Sequence, residues 1–309
     1  ATKARPDLAR IFPISGRNDA GARIFAKDLA AVVANENLTE AVDRLADSIW
    51  TRRVHHPCRF AVPYTDRDDL LARLGEIGNG GGKASVRSLP DGTRPVFVLS
   101  GMGPQWWGMA RGLLTAGGTF ARVANEIDTI FKSLAGWSLV EELLRDESES
   151  RVSSTRIAQT GNFLVQVGLA AELAELGIQP AAIVGHSVGE VSAAYLSGML
   201  SLRDAITVSF HRARLQARQA GTGSMLAVGL PEATVRERIA DLQGVEIAAV
   251  NSPAGVTLAG DSEPIERLAA QLTEEGAFNR LLRVEVPYHS HLMDPILDEL
   301  RDALAHITP

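Results

Sequence analysis

The sequence predicts an α/β protein built on a parallel sheet, with a small α+β unit before the sheet and a second small unit inserted into it. Three observations carry this prediction. An apolar run at residues 181–184 leads into a serine turn and then into a helix of small residues. A strand–helix–strand order also precedes that turn, which is typical of a parallel sheet. Residues 223–287 instead have the order βαββαβ, which is typical of a ferredoxin-like unit.

Composition and charge narrow the class of protein. The 309 residues are 45% hydrophobic and 22% charged, and the net charge of −6 argues against nucleic acid as the main partner. There is no signal peptide and no run of about eighteen apolar residues, so neither secretion nor a membrane span is expected. Cys58 is the only cysteine, which excludes an intrachain disulfide and fits the reducing cytoplasm.

Residues 1–94 are expected to form a separate α+β unit. Apolar residues at strand and helix spacing predict two strands and three helices, over 11–15, 59–63, 19–35, 38–52 and 67–74.

Two motifs in this unit invite a functional interpretation, and neither predicts a site. His55, His56 and Cys58 are metal-ligating residue types, but adjacent histidines point apart and no second pair follows them. Residues 78–85 are rich in glycine but do not have the spacing of a phosphate-binding loop. No metal is therefore expected, and the glycine-rich stretch is expected to be a surface loop.

The second unit begins with a buried strand at residues 95–99, which runs into a glycine-containing loop. Glycines on both sides of Met102 let the backbone approach a ligand closely, so the Met102 N–H is a candidate donor to an oxyanion. The alternative is a loop that caps the next helix while Trp106 and Trp107 pack in the core. Helices are predicted over 121–134, 139–145 and 158–176.

The strongest chemical signal is Gly-His-Ser-Val-Gly at residues 185–189, which has the form G-x-S-x-G of a nucleophile elbow. Small residues flank Ser187 because a sharp turn from strand to helix is crowded, and the turn exposes the hydroxyl. The N–H groups that begin the next helix favour negative charge at the same place. Such a serine suits acyl transfer through an oxyanion. The alternative is a tight turn whose serine only caps the helix.

Two later segments supply a cation and a base. A helix predicted over residues 202–220 carries Arg212, whose guanidinium can bind a carboxylate with two hydrogen bonds, although helix arginines commonly face solvent. His289 and His291 follow the inserted unit, and they cannot both face one cleft if the segment is extended. The inserted unit itself is predicted from strands and helices over 224–230, 232–242, 245–250, 255–259, 264–275 and 281–286.

These motifs together resemble one family, the malonyl-type acyltransferase domains of type I polyketide synthases. They are also similar to the malonyl/acetyl transferase of animal fatty acid synthases. The resemblance covers the whole chain and is carried by residues 185–190, 212–225, 251–260, 286–289 and Gln159.

The resemblance implies an acyltransferase fold in three parts. A large α/β-hydrolase-like subdomain spans residues 95–222 and 288–309, and a ferredoxin-like subdomain spans the inserted residues 223–287. Residues 1–94 resemble the linker that joins a ketosynthase to such a domain. Relatives continue past the point where this sequence stops, so the C-terminal part of the large subdomain is expected to be missing here.

The resemblance also assigns roles to residues. Ser187 would be the nucleophile and His289 the base, in a dyad without an acidic third member whose imidazole is oriented by main-chain carbonyls. The backbone N–H groups of Met102 and Val188 would form the oxyanion hole, and Arg212 would bind the malonyl carboxylate. Further contacts to the substrate are expected from Gln159, Tyr288, His186 and Asn251.

The implied reaction is a ping-pong transfer in the cytoplasm, within polyketide or antibiotic biosynthesis. Malonyl-CoA would acylate Ser187, and the malonyl group would pass to the phosphopantetheine thiol of an acyl carrier protein. The domain itself is expected to bind no cofactor, because phosphopantetheine is carried by CoA and by the carrier protein. Tyr288 favours malonyl over methylmalonyl, since an aromatic ring there would crowd an α-methyl group.

Two other interpretations remain open. A serine hydrolase or thioesterase of the α/β-hydrolase type would use the same elbow, but it needs an acid between the serine and the histidine and passes the acyl group to water. An inactive structural or docking domain of a synthase would keep the fold without turnover.

Overall fold

A computed structural model describes residues 10–35, 42–82 and 92–309. The chain divides into two compact units, residues 1–94 and 95–309. Part of one predicted helix, residues 38–41, and the end of the glycine-rich stretch, residues 83–85, lie outside the described residues.

The first unit packs three helices on an antiparallel pair of strands. The strands are β1 (Arg10–Gly16) and β2 (Cys58–Tyr64), and the helices are α1 (Asp19–Val33), α2 (Val42–Arg52) and α3 (Arg67–Gly78). Alternate strand residues face the helices, as the period of two in a strand requires. Residues buried at this interface include Phe12, Ile14, Phe60, Leu70 and Leu74. The α+β content predicted for this unit is confirmed.

The second unit contains a parallel pair of strands that positions the site. These are β3 (Val96–Leu99) and β4 (Ala182–Gly185), with Leu99 opposite Gly185. Because parallel strands end at the same edge, the loop after β3 and the serine turn after β4 lie side by side. That edge is where ligands bind in open α/β sheets.

Helices surround this pair and supply most of the core. They are α4 (Arg111–Ala116), α5 (Gly118–Ala135), α6 (Leu139–Leu143), α7 (Thr155–Glu175), α8 (Gly189–Leu196), α9 (Leu202–Gln216) and, near the end, α12 (Leu297–Leu304). Their packed faces bury Phe120, Phe131, Phe163, Leu164 and Ile206. The short helix α4 is not foreseen by the sequence pattern. None of the helices in the described residues has both the length and the apolar character needed to cross a membrane.

The inserted unit has the predicted βαββαβ order. Its elements are β5 (Ser224–Val228), α10 (Glu232–Ile239), β6 (Val245–Ser252), β7 (Gly255–Gly260), α11 (Ser262–Glu274) and β8 (Asn279–Leu281). The strands form one antiparallel sheet in the order β6–β7–β5–β8. The mixed α/β fold and this ferredoxin-like order agree with the sequence prediction.

The last strand of this sheet differs from the prediction, which placed it over 281–286. It ends at Leu281, and one more link follows, from the Leu282 N–H to the Met225 carbonyl at 2.9 Å. The Val284 N–H then bonds back to the Leu282 carbonyl at 3.0 Å, which turns the chain away from β5. The segment after this turn no longer pairs with β5, and it leads to His289.

Candidate active site

The turn that carries Ser187 is a tight elbow between β4 and α8. Ser187 has a φ of 52°, in the left-handed region that costs a residue with a Cβ free energy. A Cβ on Gly185 would lie 2.5 Å from the Glu190 Cα, and one on Gly189 would lie 2.2 Å from the Leu99 carbonyl oxygen. Glycine is therefore required on both sides of the serine, as the G-x-S-x-G pattern predicts.

His289 reaches this serine from the other end of the chain. Its Nε2 lies 2.9 Å from the Ser187 Oγ, and its φ is 61°. In the described part of the chain, Ser187 and His289 are the two residues other than glycine with a positive φ. The buried Ser290 helps to hold the histidine turn, since its hydroxyl donates to the Pro287 carbonyl at 2.7 Å. Strained backbone at both members of one pair is typical of a functional site.

The electrostatics keep the His289 imidazole neutral. Partial burial of the ring lowers its pKa from the ordinary value of 6.5, and the positive charge of Arg212 lowers the pKa further, while Glu190 opposes both effects. A neutral Nε2 accepts a hydrogen bond from the serine hydroxyl, which is the state that a general base requires. Within residues 92–309, Ser187 is the hydrogen-bond partner that the structure gives His289. The main-chain carbonyl partner implied by the resemblance is not seen there.

Arg212 completes the polar core of the site from α9. Its Nη2 donates to the Ser187 Oγ at 3.2 Å, and its Nη1 donates to the Gln159 Oε1 at 2.8 Å. Within residues 92–309, no carboxylate forms an ion pair with this guanidinium. Burial lowers its pKa, whereas Tyr288 and Glu190 raise it, and an arginine stays protonated under such conditions. Within residues 92–309, the structure thus holds a partly buried cation without an anion, next to the serine that is hydrogen-bonded to His289.

Gln159 and Tyr288 extend the site toward α7. Gln159 is fully buried, and Tyr288 is 5% exposed. The Tyr288 hydroxyl lies 2.7 Å from the Thr155 Oγ1, and burial raises its pKa. The ring of Tyr288 packs in an apolar cluster with Leu215, Met225, Val286, Met293 and Met102. Tyr288 thus joins this apolar cluster to the polar side chains of Thr155 and Gln159.

The two predicted oxyanion donors lie on either side of the elbow. Val188 is the N-terminal cap of α8, directly after Ser187. Met102 follows Gly101, on which a Cβ would lie 2.7 Å from the His186 Nδ1 and 3.4 Å from the Ser187 Cβ. In the described part of the chain, neither the Met102 N–H nor the Val188 N–H donates to a backbone acceptor. The oxyanion hole formed by these two N–H groups stays a prediction.

In the described residues, no hydrogen bond joins His186, Asn251 or His291 to this group. The exposed His186 side chain lies against Gly101. The Asn251 amide donates to the Thr257 hydroxyl at 2.9 Å across the β6–β7 hairpin, and its contact with a substrate stays a prediction. The His291 ring faces Glu246 at 3.8 Å and Asp261 at 3.7 Å. His289 and His291 thus face different partners, although the segment is not extended as the sequence argument assumed, since His289 has a φ of 61°.

The sequence reasoning missed three residues that support the site. They are Thr155, which contacts Tyr288, Gln216, whose Oε1 accepts from the Gln159 Nε2 at 2.7 Å, and Glu285, which accepts from the Thr155 N–H at 2.8 Å. A signal existed for the first two. Thr155 lies four residues before Gln159, and Gln216 lies four residues after Arg212, so each shares a helix face with a residue already identified.

The metal-ligating residues of the first unit are engaged elsewhere. The His55 ring lies 5.4 Å from the Trp50 ring, and its Nε2 lies 3.0 Å from the Trp50 carbonyl. In the portion of the chain that the structure describes, no three His, Cys, Asp or Glu side chains are grouped closely enough to hold a metal ion.

The Ser187–His289 pair on this fold is an arrangement typical of acyl-transfer enzymes. The sequence model of the family described as acyl transferase domain matches residues 96–309, so the chain belongs to that family. More particularly, it is homologous to the acyltransferase domains of polyketide synthases, as the following similarities show.

Two curated relatives are multidomain synthases. One is a highly reducing polyketide synthase of Penicillium oxalicum, 35% identical over 96% of this chain and 12% of its own length. The other is a 5-methyl-1-naphthoate synthase of Streptomyces sahachiroi, 35% identical over 99% of this chain and 17% of its own length. The chain therefore spans less than a fifth of either protein.

Two solved structures have the same fold. The acyltransferase domain from module 8 of the salinomycin polyketide synthase is 30% identical, with a TM-score of 0.85 over 97% of this chain and 72% of that one. The acyltransferase domain of SpnD, in complex with 2-(pent-4-yn-1-yl)malonyl, is 28% identical, with a TM-score of 0.82 over 100% of this chain and 72% of that one.

Proposed function

We propose that this acyltransferase domain transfers a malonyl group from malonyl-CoA, through an ester on Ser187, to the phosphopantetheine thiol of an acyl carrier protein. The observation that carries the proposal is the Arg212 guanidinium, 3.2 Å from the Ser187 Oγ and without an ion-pair partner in residues 92–309. A malonyl thioester has its free carboxylate a few bonds from the carbonyl that the serine attacks. One pocket thus offers a nucleophile to the thioester and a cation to the carboxylate.

The chemistry proceeds in two balanced halves. The His289 Nε2 takes the proton from the Ser187 hydroxyl as Oγ attacks the thioester carbonyl, and the Met102 and Val188 N–H groups receive the oxyanion. The C–S bond then breaks, and the leaving CoA thiolate takes the proton from His289. In the second half, the carrier thiol gives its proton to His289 and attacks the ester. The C–O bond breaks, and Ser187 regains its proton.

The choice of malonyl is supported from two sides. The buried Tyr288 ring, fixed through its hydroxyl by Thr155, narrows the space that an α-substituent would need. A related domain, SpnD, holds a substituted malonyl group, so malonyl-class acyl groups occur among the homologues. One methyl group in an apolar pocket is discriminated by only about 1–3 kcal/mol, so we expect malonyl to be preferred rather than exclusive.

The proposed partners follow from the homologues. The relatives are multidomain synthases of which this chain matches a small part. We propose a carrier protein as the acceptor and a ketosynthase as the neighbour through residues 1–94. The proposed setting is polyketide, including antibiotic, biosynthesis in the cytoplasm, with no metal, nucleic acid or membrane involved.

Intact-protein and peptide mass spectrometry after incubation with malonyl-CoA tests the proposal. We expect one malonyl increment on the peptide that contains Ser187, and its loss when a carrier protein or free pantetheine thiol is added. Ser187→Ala is the control and should carry no increment. Rapid release of malonate to water without a stable ester would favour a hydrolase. No adduct on the folded protein would favour a structural domain and overturn the proposal.

A further inference from the structure

The side-chain amide of Gln159 faces Arg212 with its oxygen and not with its nitrogen, and hydrogen-bond polarity explains this orientation. A guanidinium only donates, so the Gln159 atom 2.8 Å from the Arg212 Nη1 is the oxygen Oε1. The amide nitrogen Nε2 must then face the opposite way. It meets the Gln216 Oε1 at 2.7 Å, which is the acceptor that this direction requires.

The two ends of the Gln159 amide are held by one helix. Arg212 and Gln216 are four residues apart on α9 and lie on the same face, against α7. Gln159 is fully buried and Gln216 is 8% exposed, so water does not replace either hydrogen bond readily. The Tyr288 hydroxyl also interacts with the Gln159 side chain. Without the Gln216 acceptor, that contact alone would oppose a rotation of the Gln159 amide that points Nε2 at the guanidinium, a group that only donates.

We infer that Gln216 is a positioning residue for acyl-group selection, which holds the Gln159 amide in the orientation that fixes Arg212 for a substrate carboxylate. This inference rests on the proposed function. Gln216 touches neither Ser187 nor His289 in the described hydrogen bonds, and it acts through Gln159 and Arg212. Its role is therefore confined to acyl groups that carry a carboxylate. An acetyl group makes no demand on Arg212.

The test compares malonyl-CoA with acetyl-CoA as acyl donors to Gln216→Met, which keeps the side-chain length and removes the acceptor. We expect KM for malonyl-CoA to rise roughly tenfold or more, the change that one weakened hydrogen bond to a charged group gives, with kcat little changed. The kinetic constants for acetyl-CoA should stay at the wild-type values. The matched control is Gln219→Met, the same change beyond the end of α9 at a side chain without a described bond to Gln159.

A double-mutant cycle separates this role from a general packing effect. In an Arg212→Met background, Gln216→Met should have no further effect on malonyl loading, because the path through Gln159 is already broken. If Gln216→Met fails to fold, Gln216→Asn keeps the amide but falls one bond short of Gln159, and the same selective rise in KM is expected.

Two results would overturn the inference: an unchanged KM for malonyl-CoA, or an equal loss with acetyl-CoA. Failure of the proposed function looks different, because the wild-type protein would then form no malonyl ester on Ser187, whatever the residue at 216.

Discussion

Glu142 and Arg212 are two charged side chains in the second unit that are at least partly buried, and they differ in whether an opposite charge lies next to them. The Glu142 side chain on α6 is 3% exposed and accepts hydrogen bonds from Arg145 and Arg151. Within residues 92–309, the hydrogen-bond partners of Arg212 are the neutral side chains of Gln159 and Ser187. A buried charge that is fully paired serves the fold. One that lacks its counter-ion is available to a ligand.

The pKa shifts show the same contrast. The hydrogen bond from Arg151 lowers the pKa of Glu142 from its ordinary value of 4.5, and this effect outweighs burial, which raises the pKa. At Arg212 the largest effect is burial, which lowers the pKa, while the charges of Tyr288 and Glu190 raise it by less. The folded state therefore favours the charged form of Glu142 and disfavours the charged form of Arg212. Functional sites are expected to hold such unfavourable charges.

The largest effect should come from Glu142→Ala. Removing the carboxylate breaks its hydrogen bonds to two arginines that are themselves exposed, and we expect a loss of about 2–3 kcal/mol in the free energy of unfolding. Urea unfolding of the whole chain, with the transitions of the two units fitted separately, measures it. The matched control is Glu141→Ala, the exposed neighbour on the same helix, which should stay within about 0.5 kcal/mol of wild type.

The pH dependence of that loss sharpens the comparison. Because the pKa of Glu142 is lowered in the folded state, its stabilisation is complete above the ordinary value of 4.5 and disappears as pH falls through the folded value. The difference between wild type and Glu142→Ala should therefore shrink below pH 4.5. A difference that stayed constant down to acid unfolding would mean that the carboxylate charge is not what stabilises the fold.

Arg212→Met should show the opposite pattern, with a large loss of activity and a small change in stability. Under the proposed function, losing two charge-assisted hydrogen bonds to the malonyl carboxylate should lower kcat/KM for malonyl-CoA by about 100-fold or more. The free energy of unfolding should change by no more than about 1–2 kcal/mol, because the variant removes an unpaired cation from a partly buried place but also leaves the buried Gln159 Oε1 without its donor.

The control for this variant is Arg214→Met on the same helix. Arg214 pairs with Glu299 at 3.0 Å near the surface, so its loss should affect neither property much. A marked loss of stability in Arg212→Met, with malonyl and acetyl loading reduced alike, would place Arg212 with Glu142 as a structural charge.

The sequence could reveal Ser187 because its signal is local. The two glycines, the strand before them and the helix after them are all within reach of one another along the chain. Arg212 had no such signal. It shares α9 with Arg214, and Arg218 follows two residues after the end of that helix. Both of these arginines pair with Glu299, and helical spacing does not distinguish Arg212 from them. What singles out Arg212 is Gln159, 53 positions away, and only the resemblance to a family pointed there.

The His289 segment shows why the remaining details were not predictable. Apolar residues up to Val286 continue the strand pattern, but the turn at Leu282–Val284 ends β8 earlier. The positive φ of His289 likewise depends on contacts with a serine 102 positions away. The hydrogen bond between Asn251 and Thr257 likewise follows from the β6–β7 register, which the sequence pattern does not reveal. Periodicity reports which face is apolar but not where a long-range contact bends the chain.

The smallest expected effect is that of the Arg212 charge on the pKa of His289. The pKa of His289 is lowered first by burial and then by the charge of Arg212, and the base works in its neutral form. Acyl loading should therefore rise with pH on a limb that lies below the ordinary histidine value of 6.5. Arg212→Met removes one of the influences that lower the pKa of His289, so the limb should move to higher pH, yet stay below 6.5 because burial remains.

Acetyl-CoA is the donor to use, since its binding does not depend on Arg212. The Arg214→Met protein should keep the wild-type limb. If the limb of Arg212→Met coincides with that of wild type, the guanidinium does not act on the imidazole, and its charge serves the substrate carboxylate alone.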